Sequence, residues 1–130
     1  MKVLVVDDNE NLTFLIREML ANEGHDVRTA SNGEIAYILY PLFRPDVVIT
    51  DVEMPLQDGP QLVKLIRLHE PKIRTIYMSG NPSRLWALLE EEKNAQVSIL
   101  PKPFSKTELV QLVSRQQRDT TRSYHERVSS

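Results

Sequence analysis

Side chains suited to phosphoryl chemistry stand at the ends of short apolar runs. Asp7 and Asp8 close "KVLVV", Asp51 closes "DVVIT", Ser79 closes "IRTIYM", and Lys102 follows "VSILP". Carboxylates from Asp7, Asp8 and Asp51 brought within a few ångströms would repel one another, and a single lysine could not neutralise them. Such a cluster asks for a hard divalent cation. Mg2+ suits it, since that ion uses one or two carboxylates and a backbone carbonyl, keeps several waters, and completes its octahedron with phosphate oxygens. The Ser79 hydroxyl and the Lys102 ammonium would supply donors and positive charge for the oxygens of a transferred phosphoryl group. Asp51 would be the nucleophile and an aspartyl phosphate the covalent form, with no histidine base required.

For these groups to meet, the apolar runs must be neighbouring strands. Leu12, Leu15, Ile16, Met19 and Leu20 recur at the spacing of one helical face, and that helix stops near Gly24. Four more strand–helix units follow: "DVRTA" before a helix from about Asn32 to Tyr40, "DVVIT" before a helix opened by Pro60, "IRTIYM" before a helix carrying Leu85, Trp86, Leu88 and Leu89, and "VSIL" before a last helix. Ser105 with Glu108 makes a capping box for the last of these. Repeated βα units imply an α/β fold: one doubly wound, five-stranded parallel sheet with helices on both faces and the strand order 2-1-3-4-5. Ligands of such sheets bind outside the carboxyl ends of the strands at the switch point, here between the first and third strands, where Asp7, Asp8 and Asp51 lie.

Composition sets the remaining bounds. The chain has 130 residues, no cysteine and 41% hydrophobic residues, enough for one ordinary core without disulfides or thiolate metal sites. The run after Lys2 is too short for a signal peptide and nothing else could span a bilayer, so a cytoplasmic protein with no membrane partner is expected. A net charge of -2 gives no reason to expect direct contact with nucleic acid. His25 and His69 are expected in surface turns, and "EEEK", Glu90 to Lys93, as a solvated helix end. Residues 118–130, "RDTTRSYHERVSS", offer only Tyr124 and Val128 to bury and are expected to form a polar tail or linker stub. An output module would need on the order of 60 further residues, so none is expected within the chain.

"VLVVDDNE", "PDVVITDVEMPLQDG", "MSG" and "LPKPF", in this order and spacing, resemble the receiver domain of two-component response regulators from Lys2 to about Gln117. The resemblance implies a CheY-like, flavodoxin-like three-layer sandwich over residues 1–117. It also implies a signalling switch rather than an enzyme, taking a phosphoryl group onto Asp51 from a histidine kinase or a phosphotransfer protein. By the same resemblance Asp7, Asp8 and Asp51 hold Mg2+ with the backbone carbonyl of Glu53 as a further ligand, and Ser79 turns toward the phosphoryl group. Lys102 is the essential lysine and is followed by Pro103 through a cis peptide; Pro55 and Gly59 are structural positions of the motif. A downstream protein target would bind the face built from the fourth helix, fifth strand and fifth helix.

Two positions depart from the family pattern. Ile99 stands where many receivers carry the tyrosine or phenylalanine that moves inward on phosphorylation, and Glu53 is acidic two residues past the acceptor. Rival readings meet specific obstacles. A flavodoxin-type module needs glycines, hydroxyls and free amides after its first strand, and "DDNEN" would repel the flavin phosphate. A metal-dependent nuclease or primase-like domain could use "DVE" as its acid pair, but would need a basic groove. A degenerate receiver acting as a protein-binding scaffold ranks below the active form, because Asp7, Asp8, Asp51, Ser79 and Lys102 are all present.

Overall fold

Alternation along the strands sorts the core onto the two faces of one sheet. In the computed structural model, which describes the backbone of residues 1–93 and 95–129 and the side chains of 1–93 and 95–117, the elements strictly alternate. They are β1 (Lys2–Val6), α1 (Glu10–Ala21), β2 (Asp26–Ala30), α2 (Gly33–Phe43), β3 (Val47–Asp51), α3 (Gly59–Arg67), β4 (Arg74–Ser79), α4 (Pro82–Glu91), β5 (Val97–Pro101) and α5 (Lys106–Ser129). All strand pairs are parallel, in the order β2-β1-β3-β4-β5. This is the doubly wound, flavodoxin-like arrangement expected from the repeated units.

Val3, Val5, Val47, Ile49, Ile76 and Met78 share one core with Ile16 and Leu20 of α1 and Leu109 and Val113 of α5. Their strand neighbours Leu4, Val6 and Val48 point the other way, into a second core with Ala36, Tyr40 and Phe43 of α2 and Leu62 and Ile66 of α3. Val52, Val63 and Tyr77 form a third with Leu85 and Leu88 of α4, against which Ile99 packs. A side-chain period of two, with both faces covered, makes these strands continuously apolar.

Helix ends follow local chemistry. Asn9 caps α1 by accepting the Leu12 N–H at 3.1 Å, and Gly24 at φ +91° lets the chain turn back into β2. Asp58 and Gln61 form a reciprocal capping box on α3, and the Ser105 hydroxyl accepts the Glu108 N–H at 3.1 Å on α5.

Several expectations need correction. The second helix runs past Tyr40 and through Pro41, because burial of Phe43 favours one more turn and Arg44 closes it in the left-handed conformation at φ 52°. Leu15 and Trp86, placed among apolar helical positions, are 50% and 66% exposed. Glu90 and Lys93 pair in solvent at 3.6 Å, but Glu92 turns inward: it accepts from the Tyr77 hydroxyl at 2.9 Å and pairs with Arg67 at 2.6 Å. Burial first, and then the Glu92 carboxylate, push the Tyr77 pKa strongly up against the pull of Arg67. His69 is exposed as expected and bonded to the Tyr37 hydroxyl at 2.9 Å, whereas His25 is half-buried against the Met1 ammonium at 3.1 Å. The α5 backbone is helical to Ser129, and the side chains of residues 118–130, the segment read as a polar tail or linker stub, lie outside the described residues, His125 among them.

Candidate functional site

The alternation that buries Val3 and Val5 continues past the end of β1 to Asp7, and the alternation of Val47 and Ile49 reaches Asp51 on the same face. Lys102 stands two residues beyond Leu100, which belongs to that face as well. Asp7 is 1% exposed and both its oxygens are engaged. Oδ1 accepts the Asn9 N–H at 2.9 Å, and Oδ2 accepts from the Lys102 ammonium at 2.8 Å. The same ammonium is 3.5 Å from Asp51 Oδ1. Its position is set from behind, since the Lys102 N–H donates to the Ser79 carbonyl at 2.8 Å and extends the β4–β5 ladder. The Lys102–Pro103 peptide is cis.

Charge in this cluster is only partly balanced. Burial, and then the neighbouring Asp7 charge, push the Asp51 carboxyl up from an ordinary 3.8 to about 6, against the pull of Lys102. Burial works against the Lys102 ammonium too, but its hydrogen bond to Asp7 and the charges of Asp7 and Asp51 outweigh that and hold its pKa above the ordinary lysine value. Asp8 is exposed, and one carboxylate oxygen from each of Asp7, Asp8 and Asp51 lies within 4.8 Å of the others. Oxygen donors, excess negative charge and one ligand open to solvent fit a hard divalent cation.

The loop after β3 is held tightly against the acceptor strand. The Gly59 N–H donates to the Val52 carbonyl at 3.1 Å, and a Cβ at Gly59 would clash with the backbone carbonyl of Asp51. Only glycine permits that approach. Pro55 begins a tight turn in which the Gln57 N–H donates to its carbonyl at 2.8 Å, with Leu56 between them at φ 71°.

Ser79 is brought to the same edge but not to the same partners. It follows Tyr77 onto the α4 side, where its hydroxyl donates to the Glu53 carboxylate, 3.0 Å from each oxygen, and accepts the Asn81 N–H at 2.9 Å. The Glu53 side chain also lies 3.7 Å from Arg84, which is 3.9 Å from Asp58. Sequence reasoning missed this role for the Glu53 side chain and missed Arg84 altogether. An arginine in the first turn of a helix carries no local sign of which acid it will meet. Ile99 pairs with Tyr77 across β4 and β5 and is half-buried beneath α4.

The family model of the response regulator receiver domain matches residues 3–114. Over 113 residues the chain is 35% identical to the DNA-binding transcriptional regulator NtrC of Azospirillum brasilense, covering 87% of this chain and 23% of that protein. It is 32% identical over 108 residues to the alkaline phosphatase synthesis transcriptional regulatory protein PhoP of Bacillus subtilis, covering 83% of this chain and 45% of PhoP. The chain thus spans less than half the length of either. Chemotaxis protein CheY4 of Vibrio cholerae superposes with a TM-score of 0.79 at 28% identity, covering 88% of this chain and 96% of that one. The receiver domain of Francisella response regulator 1452 gives 0.80 at 29%, covering 92% and 98%.

Proposed function

Because the chain belongs to the response regulator receiver family, we propose that Asp51 is its phosphoacceptor and that phosphorylation switches its binding to a protein partner. The observation that carries this reading is the buried Asp51 carboxylate set between the Lys102 ammonium and the acid pair at the carboxyl edge of the sheet. The donor is the phosphohistidine of a histidine kinase or phosphotransfer protein. An Asp51 oxygen attacks the phosphorus, the phosphorus–nitrogen bond breaks, and the imidazole leaves. Lys102 is positioned to meet a phosphoryl oxygen while still bonded to Asp7, and its raised pKa keeps it charged throughout. Asp7, Asp8 and Asp51, with the Glu53 carbonyl, would hold Mg2+, which when bound supplies positive charge for the phosphoryl oxygens.

Output follows from Ser79. Drawn toward phosphorylated Asp51, it would take with it the loop after β4 and the start of α4, changing the face of α4, β5 and α5 that a protein target reads. Ile99 has no ring to swing and no hydroxyl to expose, so movement of backbone and helix carries the change. We assign the chain a switch role rather than enzymatic turnover of a small-molecule substrate, protein partners rather than direct contact with nucleic acid, and a cytoplasmic setting. Among the described residues no helix is long and apolar enough to cross a membrane. Residues 1–117 are assigned to the receiver and 118–130 to a polar tail or linker stub. Intact mass after acetyl phosphate tests the central assignment. A gain of one phosphoryl group that requires Mg2+ and vanishes in Asp51→Asn is expected, and undiminished labelling of that variant would refute it.

A further inference from the structure

The Ser79 hydroxyl has one proton to donate, and Glu53 holds it. For Ser79 to reach a phosphoryl group on Asp51, that bond must break. Glu53 is exposed on its far side and lies 3.7 Å from Arg84, in the first turn of α4, which also approaches the α3 cap Asp58 at 3.9 Å. Through Arg84 the front end of α4 is fastened to the loop after β3. The rear end is fastened more firmly, by the hydrogen bond from Tyr77 to Glu92 at 2.9 Å and the ion pair from Arg67 to Glu92 at 2.6 Å. Between the two fastenings, Leu85 and Leu88 are the buried residues of α4 among those described.

We propose that the Glu53 side chain is a positioning residue that holds Ser79 in its resting orientation and, with Arg84, fastens the front of α4, so that capture of Ser79 and release of α4 are one event. This rests on the reading of Asp51 as phosphoacceptor. A phosphoryl group there adds negative charge two residues from Glu53, and like charges repel. Once Ser79 turns to the phosphoryl oxygens, Glu53 keeps only the exposed Arg84, a contact worth little in water. The front of α4, whose cap Asn81 donates its N–H to the Ser79 hydroxyl at 2.9 Å, then moves with Ser79 about the Glu92 end, opposed weakly by the exposed Arg84 contacts. Glu53 thereby sets the resting balance between the two conformations, beyond anything its backbone carbonyl contributes to a metal.

Trp86, the single tryptophan, is 66% exposed on α4 and reports on this end of the helix. The test titrates the chain and its Glu53→Ala, Glu53→Gln, Ser79→Ala and Glu53→Ala/Ser79→Ala variants with beryllofluoride in Mg2+, following Trp86 emission and amide shifts. Glu53→Ala is expected to bind about five- to tenfold more tightly, the low end of the usual coupling between sites. Without beryllofluoride, its Asn81 to Leu85 amides should already be displaced toward their bound positions. Glu53→Gln, which keeps the acceptor without the charge, should fall between Glu53→Ala and the unmodified chain. The gain should disappear when Ser79 is also alanine. Relief of charge repulsion alone would tighten anion binding whether or not Ser79 is present, so a gain that survives in the double variant overturns the proposal, as does unchanged affinity in Glu53→Ala. Failure of the unmodified chain to bind beryllofluoride would instead overturn the Asp51 reading.

Discussion

Lys102 and Asp7 lie 95 residues apart in sequence, yet the ammonium of one is 2.8 Å from the carboxylate of the other. Asp7 is 1% exposed, so its charge is balanced inside the protein or not at all. Lys102→Met should therefore destabilise the fold by about 2 kcal/mol, less than for a fully buried pair because the lysine is partly solvated. Adding Asp7→Asn should recover part of that loss, because it removes the stranded charge. Urea unfolding of both variants without divalent metal checks this; an additive loss in the double variant would contradict it.

Asp51 makes stability depend on pH in a predictable direction. Its pKa is about 6 in the fold against an ordinary 3.8, so between these values the folded chain keeps a proton that the unfolded chain has released. Without divalent metal, stability should fall as pH rises from about 4 through about 6 and then level off. Asp51→Asn should flatten that slope and be more stable than the parent at neutral pH, by about 2 kcal/mol. Denaturation across this range in the presence of a chelator decides it, and an unchanged slope in the variant would assign the effect elsewhere.

Mg2+ should reverse the Asp51 penalty. Binding to the folded state alone adds about 2.7 kcal/mol at a hundredfold excess over Kd. Asp8→Ala should lose more of that gain than Asp7→Ala, since Asp8 is exposed while both Asp7 oxygens are engaged by Asn9 and Lys102. Thermal melts across a Mg2+ titration measure the two losses, and the opposite ranking would make Asp7 the more direct of the two contacts to the ion.

Gly59→Ala tests the support behind the acceptor. Its added methyl would meet the Asp51 carbonyl, which belongs to the backbone of a buried strand and has little room to yield. A loss of about 2 kcal/mol is expected, with slower labelling by acetyl phosphate because Asp51 is displaced from Lys102. Parent-like stability and labelling rate together would show that the loop gives way instead.

Ile99 and Ser79 should separate packing from switching. Ile99→Ala removes contacts beneath α4 and should cost about 1–2 kcal/mol, with beryllofluoride-induced amide shifts still reaching α4. Ser79→Ala should confine those shifts to the loops around Asp51 and alter affinity for the protein target more. Shifts that never reach α4 in the unmodified chain would place the output face elsewhere.

The strand order, the acid cluster and the placement of Lys102 were legible because each rests on local patterns: period-two burial in the strands, caps and turns at their ends, and right-handed crossovers between them. Given that topology, Asp7, Asp51 and Lys102 had to share one edge. The course of α2 through Pro41 was less legible, since a proline signals a break and only the tertiary burial of Phe43 favours the extra turn. Least legible were the polar pairs made across elements. Ser79 was placed correctly at the edge, but nothing in "MSG" or "DVE" says that its hydroxyl meets the Glu53 carboxylate, or that Arg84 approaches both Glu53 and Asp58. Likewise "EEEK" carries no sign that Glu92 alone turns inward to Tyr77 and Arg67. Apolar periodicity tells a side chain which face to seek, because burial is non-directional and any apolar neighbour satisfies it. A hydrogen bond or ion pair requires one partner at one distance and angle, and that partner is chosen only when the helices settle on the sheet.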